Sequence, residues 1–163
     1  MRLYLRLITL CAAVAFVGGT MVGPFISIAG VAPDFTIIAL VILSLAAGSV
    51  PGTIGGFLLG LIQDLSTPSL LGLQALCKTL LGFGLGRLRG RLIHGMPLVE
   101  ATVIAIAVVA HDLVFLVIQS SLTTESHLLS IFTRTLPAAI YSGLVGIPLL
   151  RVADYLGILR QED

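Results

Sequence analysis

Charged side chains are scarce in this sequence of 163 residues. Asp, Glu, Lys and Arg make up 10% of the chain, whereas soluble domains carry roughly 25%. A chain with so few polar groups cannot coat a soluble core. Hydrophobic residues make up 57% and the mean hydropathy is +1.12, so the composition predicts an integral membrane protein. A formal net charge of +1 without a basic tail argues against a nucleic-acid partner.

The sequence also lacks the patterns that mark enzymes and metal sites. It contains no glycine-rich phosphate loop and no His-x-x-x-His pair, and Cys11 and Cys77 do not stand in a metal-type spacing. His94, His111 and His127 fall at three different levels of the topology predicted below, so no nucleophile has a base beside it. We therefore predict neither an enzyme nor a bound cofactor or metal.

Apolar segments separated by proline, glycine or charge run through the whole chain. A spanning helix needs about 20 apolar residues, with a range near 17–25. Asp34 is placed to cap the second segment, and Pro68 is placed to begin the fourth. We predict an all-α polytopic membrane protein, a single domain over residues 1–163 with six transmembrane helices at about 5–28, 35–49, 51–65, 68–87, 97–121 and 129–151.

Basic residues fall on one side of this topology. With the N-terminus inside, seven arginines face the cytoplasm, Arg134 alone lies outside, and Lys78 lies within the membrane. This bias matches the positive-inside rule and predicts a multi-pass protein of the cytoplasmic (inner) membrane with both termini in the cytoplasm. The seven inner residues are Arg2, Arg6, Arg87, Arg89, Arg91, Arg151 and Arg160.

Three charged residues remain at membrane depth: Asp64, Lys78 and Asp112. A helix rise of about 1.5 Å per residue places all three roughly 10–15 Å below the outer edge of the hydrocarbon core. An ionised side chain at the bilayer centre costs at least about 2.5–3.5 kcal/mol, so it usually faces the interior and finds a partner. We predict a polar cluster in which Lys78 pairs with Asp112 or Asp64. Asp64 also ends a helix too short to cross unaided, so we expect the turn at 66–69 to dip into the membrane.

Two interpretations of this cluster stay open. In the structural one, the charges neutralise each other and fix how helices three, four and five pack. In the functional one, they bind a small polar ligand, carry protons or hold a partner. Gln63, Gln74 and His111 are further candidate members, although helical geometry turns His111 about 100° away from Asp112.

Glycines recur at four-residue spacing on the third and fourth predicted helices. Gly56-x-x-x-Gly60 and Gly82-x-x-x-Gly86 are small-xxx-small pairs, which let helix backbones approach closely. Because the pairs fall on consecutive helices, we predict that helices three and four pack tightly on each other. A groove that accepts another protein's transmembrane helix is the alternative.

A longer pattern in residues 33–92 carries a family resemblance. It has a Pro-Asp entry to the second helix, then Gly-Phe-x-x-Gly-Leu-x-x-Asp, Pro-x-x-x-Gly-x-x-Ala-Leu and a glycine-rich helix that ends in arginines. Leu-Pro at 136–137 and Ile-Pro-Leu-Leu at 147–150 extend the pattern to the last helix. The sequence thereby resembles the MreD family of rod shape-determining proteins.

The resemblance implies a non-enzymatic inner-membrane scaffold subunit of the elongasome, which builds lateral peptidoglycan and keeps rod-shaped bacteria in shape. The expected partner is MreC, a single-span protein, with MreB, RodA and its class B penicillin-binding partner nearby and membrane lipid around the helices. The family's fold is similar to that of the substrate-binding subunits of energy-coupling-factor vitamin transporters. That likeness gives the alternative, a transporter subunit that binds a small molecule at Asp64, Lys78 and Asp112.

Overall fold

A computed structural model describes residues 2–27, 31–65, 70–89, 96–122 and 135–156. Within these ranges the chain is helical apart from turns and short connections and contains no β-strand, which confirms the predicted all-α class. The helices are α1 (Arg2–Ala13), α2 (Gly23–Ile26), α3 (Phe35–Ala47), α4 (Ser49–Asp64), α5 (Leu73–Arg87), α6 (Pro97–Leu122) and α7 (Leu136–Tyr155), with a π-helix at Val14–Val22 between α1 and α2.

The central element of the bundle is α3, which contacts α1, the π-helix, α4, α5, α6 and α7. Most of its apolar side chains are buried, and Ile37, Ile38 and Leu40 have no exposed surface. The helix begins at the predicted cap, because the Asp34 carboxylate accepts hydrogen bonds from the backbone N–H groups of residues 36 and 37 at 2.9 and 3.0 Å.

A hairpin of α4 and α5 forms the most extensive helix pair in the described part of the chain. The predicted start of the second of these helices at Pro68 is wrong, because α5 begins at Leu73, after Gly72 in a left-handed conformation (φ 97°). The reason is that the first N–H groups of α5 are capped by a carboxylate from α4, which a local pattern does not reveal. The predicted dip at 66–69 lies outside the described residues.

The two longest helices in the described ranges are α6 and α7. The bounds of α6 agree with the predicted span at 97–121, and α7 runs through Pro148 to Tyr155, four residues beyond its predicted end. Two segments in the described ranges, Leu98–Ser120 and Leu136–Tyr155, are long and apolar enough to cross a membrane by length and composition. The predicted start of the last span at 129 lies outside the described residues, and the six-span topology stays a prediction.

Candidate functional site: a buried polar network and a glycine seam

Asp64, the last residue of α4, acts as a cap for α5. Its side chain is 1% exposed, and its carboxylate accepts backbone hydrogen bonds from Gly72 at 2.9 Å, Gln74 at 3.1 Å and Ala75 at 3.0 Å. The first N–H groups of a helix have no partner within that helix, and a negative charge is favoured at its N-terminus. Asp64 therefore satisfies three backbone donors at the start of α5, of which that of Ala75 is buried and those of Gly72 and Gln74 are partly buried.

Lys78, one turn further along α5, is completely buried and reaches α6. Its Nζ donates to Gln74 Oε1 at 2.8 Å and lies 3.2 Å from His111 Nε2. The predicted direct pairing of Lys78 with Asp64 or Asp112 is wrong, because no ion pair joins this lysine to a carboxylate within the described residues. The imidazole ring of His111 stands between Lys78 and Asp112 and replaces the expected ion pair with a relay of hydrogen bonds.

The relay continues from α6 to the start of α7. His111 Nδ1 lies 3.0 Å from Asp112 Oδ1, and Thr135 donates its hydroxyl to Asp112 Oδ2 at 2.8 Å. Adjacent residues of a helix point about 100° apart around its axis. The side chains of His111 and Asp112 still meet, because the imidazole Nδ1 lies near the base of its side chain and a short reach is enough. The connected groups therefore link α5, α6 and the N-terminus of α7.

The positions of the protons in this network follow from the groups that can only accept a hydrogen bond. An ionised Asp112 can only accept, so His111 Nδ1 donates to it, and His111 Nε2 then either accepts from Lys78 Nζ or, when it carries a proton, donates to Gln74 Oε1. If both Lys78 and His111 were charged, two cations would stand 3.2 Å apart in a low-dielectric interior.

Gln74 is the hub that joins the cap to the relay. Its backbone N–H donates to Asp64, and its Oε1 lies within hydrogen-bond distance of both Lys78 Nζ and His111 Nε2 (2.9 Å). The signal for Gln74 in the sequence is its position four residues before Lys78, which places the two side chains on one helix face. Gln63, the other candidate amide, is exposed. No sequence signal indicates Thr135.

The predicted glycine pairs lie along the contact of α4 with α5, which we call the glycine seam. A Cβ atom at Gly56 would meet the backbone carbonyl of Lys78, and one at Gly60 would meet the backbone of Ala75. Contacts of the same kind join Gly52 with Gly82 and Gly86 with Ser49. The backbones approach so closely that Gly56, Gly60, Gly82 and Gly86 all pack inside the protein and leave no space there for a partner's helix.

Gly84 is different from the seam glycines, although it lies two residues from Gly82. A Cβ atom at Gly84 would meet nothing within 4 Å, because this residue faces an open groove between α5 and α6. The groove has a volume of about 570 Å³. A second apolar cleft, of about 420 Å³, lies between α1, α3 and α4. Across the parts of the chain described here, no group of three or more His, Cys, Asp or Glu side chains is placed to hold a metal ion.

A comparison with protein families identifies the family of the chain. The family model described as rod shape-determining protein MreD matches residues 1–155. The chain belongs to the MreD family. The protein is accordingly a membrane protein with a role in determining rod shape, and MreD proteins are a structural family, not known as enzymes. The two long apolar helices fit insertion into a membrane.

Other comparisons add no functional detail for this MreD-family chain. No curated protein and no solved structure matches it. The likeness to energy-coupling-factor subunits stays a prediction.

Proposed function

We propose that this MreD-family protein is a non-enzymatic scaffold subunit of the rod-shape complex in the inner membrane. It binds the transmembrane helix of MreC and supports lateral peptidoglycan synthesis. The observation that carries the proposal is the burial of most of the polar network: Asp64 and Lys78 are at most 1% exposed and His111 is 4% exposed, whereas Asp112, near the end of the relay, is 30% exposed. Polar side chains that hydrogen-bond to one another and to the backbone across several helices stabilise one arrangement of the bundle, as a scaffold requires.

In the transporter alternative, Asp64, Lys78 and Asp112 bind a small-molecule ligand. A small polar molecule that binds Asp64 would have to displace the backbone donors from its buried carboxylate. The side chains of Asp64, Lys78 and Asp112 line neither the α5–α6 groove nor the second cleft. Both cavities are lined almost wholly by apolar side chains, which favours contact with a helix or with lipid over a vitamin-like solute.

The remaining proposed partners also follow from membership of the MreD family. MreB, RodA and its class B penicillin-binding partner act in the same complex, and both termini of the chain lie in the cytoplasm. The glycine seam supports this role because a hairpin packed backbone to backbone is a rigid surface, and a rigid surface lowers the cost of ordering on binding.

Co-purification tests the proposal. The tagged protein, co-expressed with MreC and extracted in mild detergent, should retain MreC through size-exclusion chromatography. An MreC whose transmembrane helix is exchanged for an unrelated single span is the matched control, and it should be lost. Failure to retain native MreC, together with thermal stabilisation by a vitamin-sized ligand, would replace the scaffold with the transporter subunit.

A further inference from the structure

Asp112 differs from Asp64 because part of its carboxylate reaches the surface of the bundle. The Asp112 side chain is 30% exposed, whereas Asp64 is 1% exposed. An ionised carboxylate has about four acceptor sites, and Asp112 uses them for the hydroxyl of Thr135 at 2.8 Å and for Nδ1 of His111 at 3.0 Å. Among the described residues, no lysine or arginine forms an ion pair with Asp112. The carboxylate therefore keeps spare acceptor capacity on its exposed side.

The surface next to Asp112 is apolar. Leu113 on α6 and Leu136 on α7 directly follow the two residues of the contact between Asp112 and Thr135, and each is 42% exposed. Val117, one helical turn beyond Leu113, is 63% exposed. The outward face of α6 and α7 at this level therefore presents a carboxylate among aliphatic side chains.

The position of Asp112 along α6 places its carboxylate inside the membrane. It lies within the apolar segment Leu98–Ser120, about 12 Å from Ser120 at the helical rise. Hydrocarbon supplies no hydrogen-bond donor, and an ionised side chain at this depth usually has a partner. Lipid headgroups lie outside the hydrocarbon core, so their amines are too distant to serve. A further donor for Asp112 must come from within the membrane.

This setting defines the chemistry of the partner. A donor inside the hydrocarbon core has to be carried by an element that can itself cross the membrane, and a transmembrane helix is such an element. Lys and Arg lay their aliphatic stems along apolar surface while the charged group extends to a polar partner. Their charge is opposite to that of Asp112, and charge-assisted hydrogen bonds are roughly twice as strong as neutral ones.

We propose that Asp112 binds a cationic side chain, Lys or Arg, on the transmembrane helix of a partner protein. The partner helix packs on the outward face of α6 and α7, against Leu113 and Leu136. This inference rests on the proposed function, because it takes the single span of MreC as the partner helix. It adds the contact face on this chain and the chemical type of the residue that meets it.

Co-purification of the full-length protein with MreC tests the charge. Asp112→Asn keeps the size of the side chain and one accepting oxygen but removes the charge, and we expect the retained MreC to fall about tenfold. Thr135→Val is the matched control, because it takes a donor from the same carboxylate and leaves the charge. This control should retain MreC as the wild type does. Wild-type retention by Asp112→Asn, or equal loss from both variants, would overturn the site and leave the proposed function standing.

Substitutions in MreC identify the cation. Each Lys and Arg in its span is replaced in turn by Gln, and one of these variants should lose binding as Asp112→Asn does. Combining the two changes should cause no further loss, because both remove the same contact. Arg134→Gln tests the arginine that precedes Thr135 in this chain and should retain MreC. The site would be wrong if Arg134→Gln reproduced the loss or if no MreC variant did.

Photo-crosslinking maps the contact face without changing the charge. A benzophenone amino acid at Leu113 or Leu136 should cross-link to MreC, whereas the same group at Ile54 on α4 or at Phe16 in the π-helix should not, although both positions are exposed. Cross-links from Ile54 or Phe16 alone would overturn the site and keep MreC as the partner. A wild-type protein that does not retain MreC would overturn the proposed function and this site together.

Discussion

The two faces of α5 contrast in how they use small residues. On the face toward α4, Gly82 and Gly86 bring two backbones into contact, and the seam is closed along its length. On the face toward α6, a polar relay through Lys78 holds one end, and the rest of the interface is an open groove beside Gly84. One helix is thus fixed to its hairpin partner by shape and to the next helix by hydrogen bonds.

This difference shows that glycine spacing alone does not identify a partner site. Gly82 and Gly84 are the same residue type on one helix, two positions apart, but a side chain would meet the carbonyl of Gly52 at the first and open space at the second. Without a hydrophobic drive between helices in lipid, close packing of small residues stabilises the seam. The open face is then the side of the hairpin that lipid or a partner can reach.

The largest expected loss of stability comes from a variant that disrupts the glycine seam. Gly60→Leu would place its Cβ against the backbone of Ala75, and because backbone cannot rotate away as a side chain can, the hairpin must separate. We expect a loss of about 3 kcal/mol or more in unfolding free energy, or no folded protein. Yield of monodisperse protein and denaturant titration in detergent measure this. Gly84→Leu, on the open face, should fold normally, and equal damage from both would remove the contrast.

The next effect concerns the cap that joins the two helices of the hairpin. Asp64→Ala leaves three N–H groups, one buried and two partly buried, without their acceptor. We expect a loss of about 2–3 kcal/mol in unfolding free energy, and about half of that for Asp64→Asn, whose carbonyl oxygen still accepts. The exposed neighbour Gln63→Ala should change stability by less than about 0.5 kcal/mol. An Asp64→Ala protein as stable as that control would show that the cap is dispensable.

A double-mutant cycle tests the relay between α5 and α6. Lys78→Met and His111→Leu each remove one partner of the 3.2 Å contact. We expect a coupling energy of about 1 kcal/mol from thermal or denaturant unfolding of the two single variants and the double variant. Lys78→Met combined with Thr102→Val, an exposed position on α6, should be additive. Additivity within about 0.3 kcal/mol for the first pair as well would contradict the relay.

The smallest effect is expected at the end of the relay. Thr135→Val removes the hydroxyl that donates to Asp112 at 2.8 Å but keeps the shape of the side chain. We expect a loss of about 0.6–1 kcal/mol in unfolding free energy, in line with hydrogen bonds inside membrane proteins. Thr135→Ser restores the donor and should recover most of the loss. If serine and valine have the same unfolding midpoint, the hydroxyl contributes nothing to the relay.

The parts of the fold that follow from local sequence were predictable. The bounds of α6 agree with the prediction because Pro97 marks its start and a polar stretch from Ser120 marks its end, and α3 begins after Asp34 because its cap lies next to the helix in the sequence. The start of α5 was not predictable in this way. Its cap, Asp64, comes from the preceding helix, so the boundary is set by tertiary contact and not by local pattern.

In the candidate site, too, local sequence predicted some features, and others depend on tertiary contacts. The depth in the membrane, estimated from the rise per residue, predicted that Lys78 lies at the level of Asp112, because this rise is nearly constant in a helix. It could not show that His111 stands between them, since that depends on side-chain rotamers and on the rotation of α6. Thr135 carries no sequence signal, because it reaches Asp112 only through the packing of α7 on α6.

Two alanine substitutions on α5 test the contrast most directly. Gly82→Ala and Gly84→Ala make the same chemical change on the same helix, and the unfolding free energy of each variant is measured against the wild type in one detergent. Gly82→Ala should lose about 1–3 kcal/mol by overpacking against Gly52, whereas Gly84→Ala should be neutral or gain up to about 1 kcal/mol from helix propensity. Equal changes at the two positions would contradict the account of one closed and one open face.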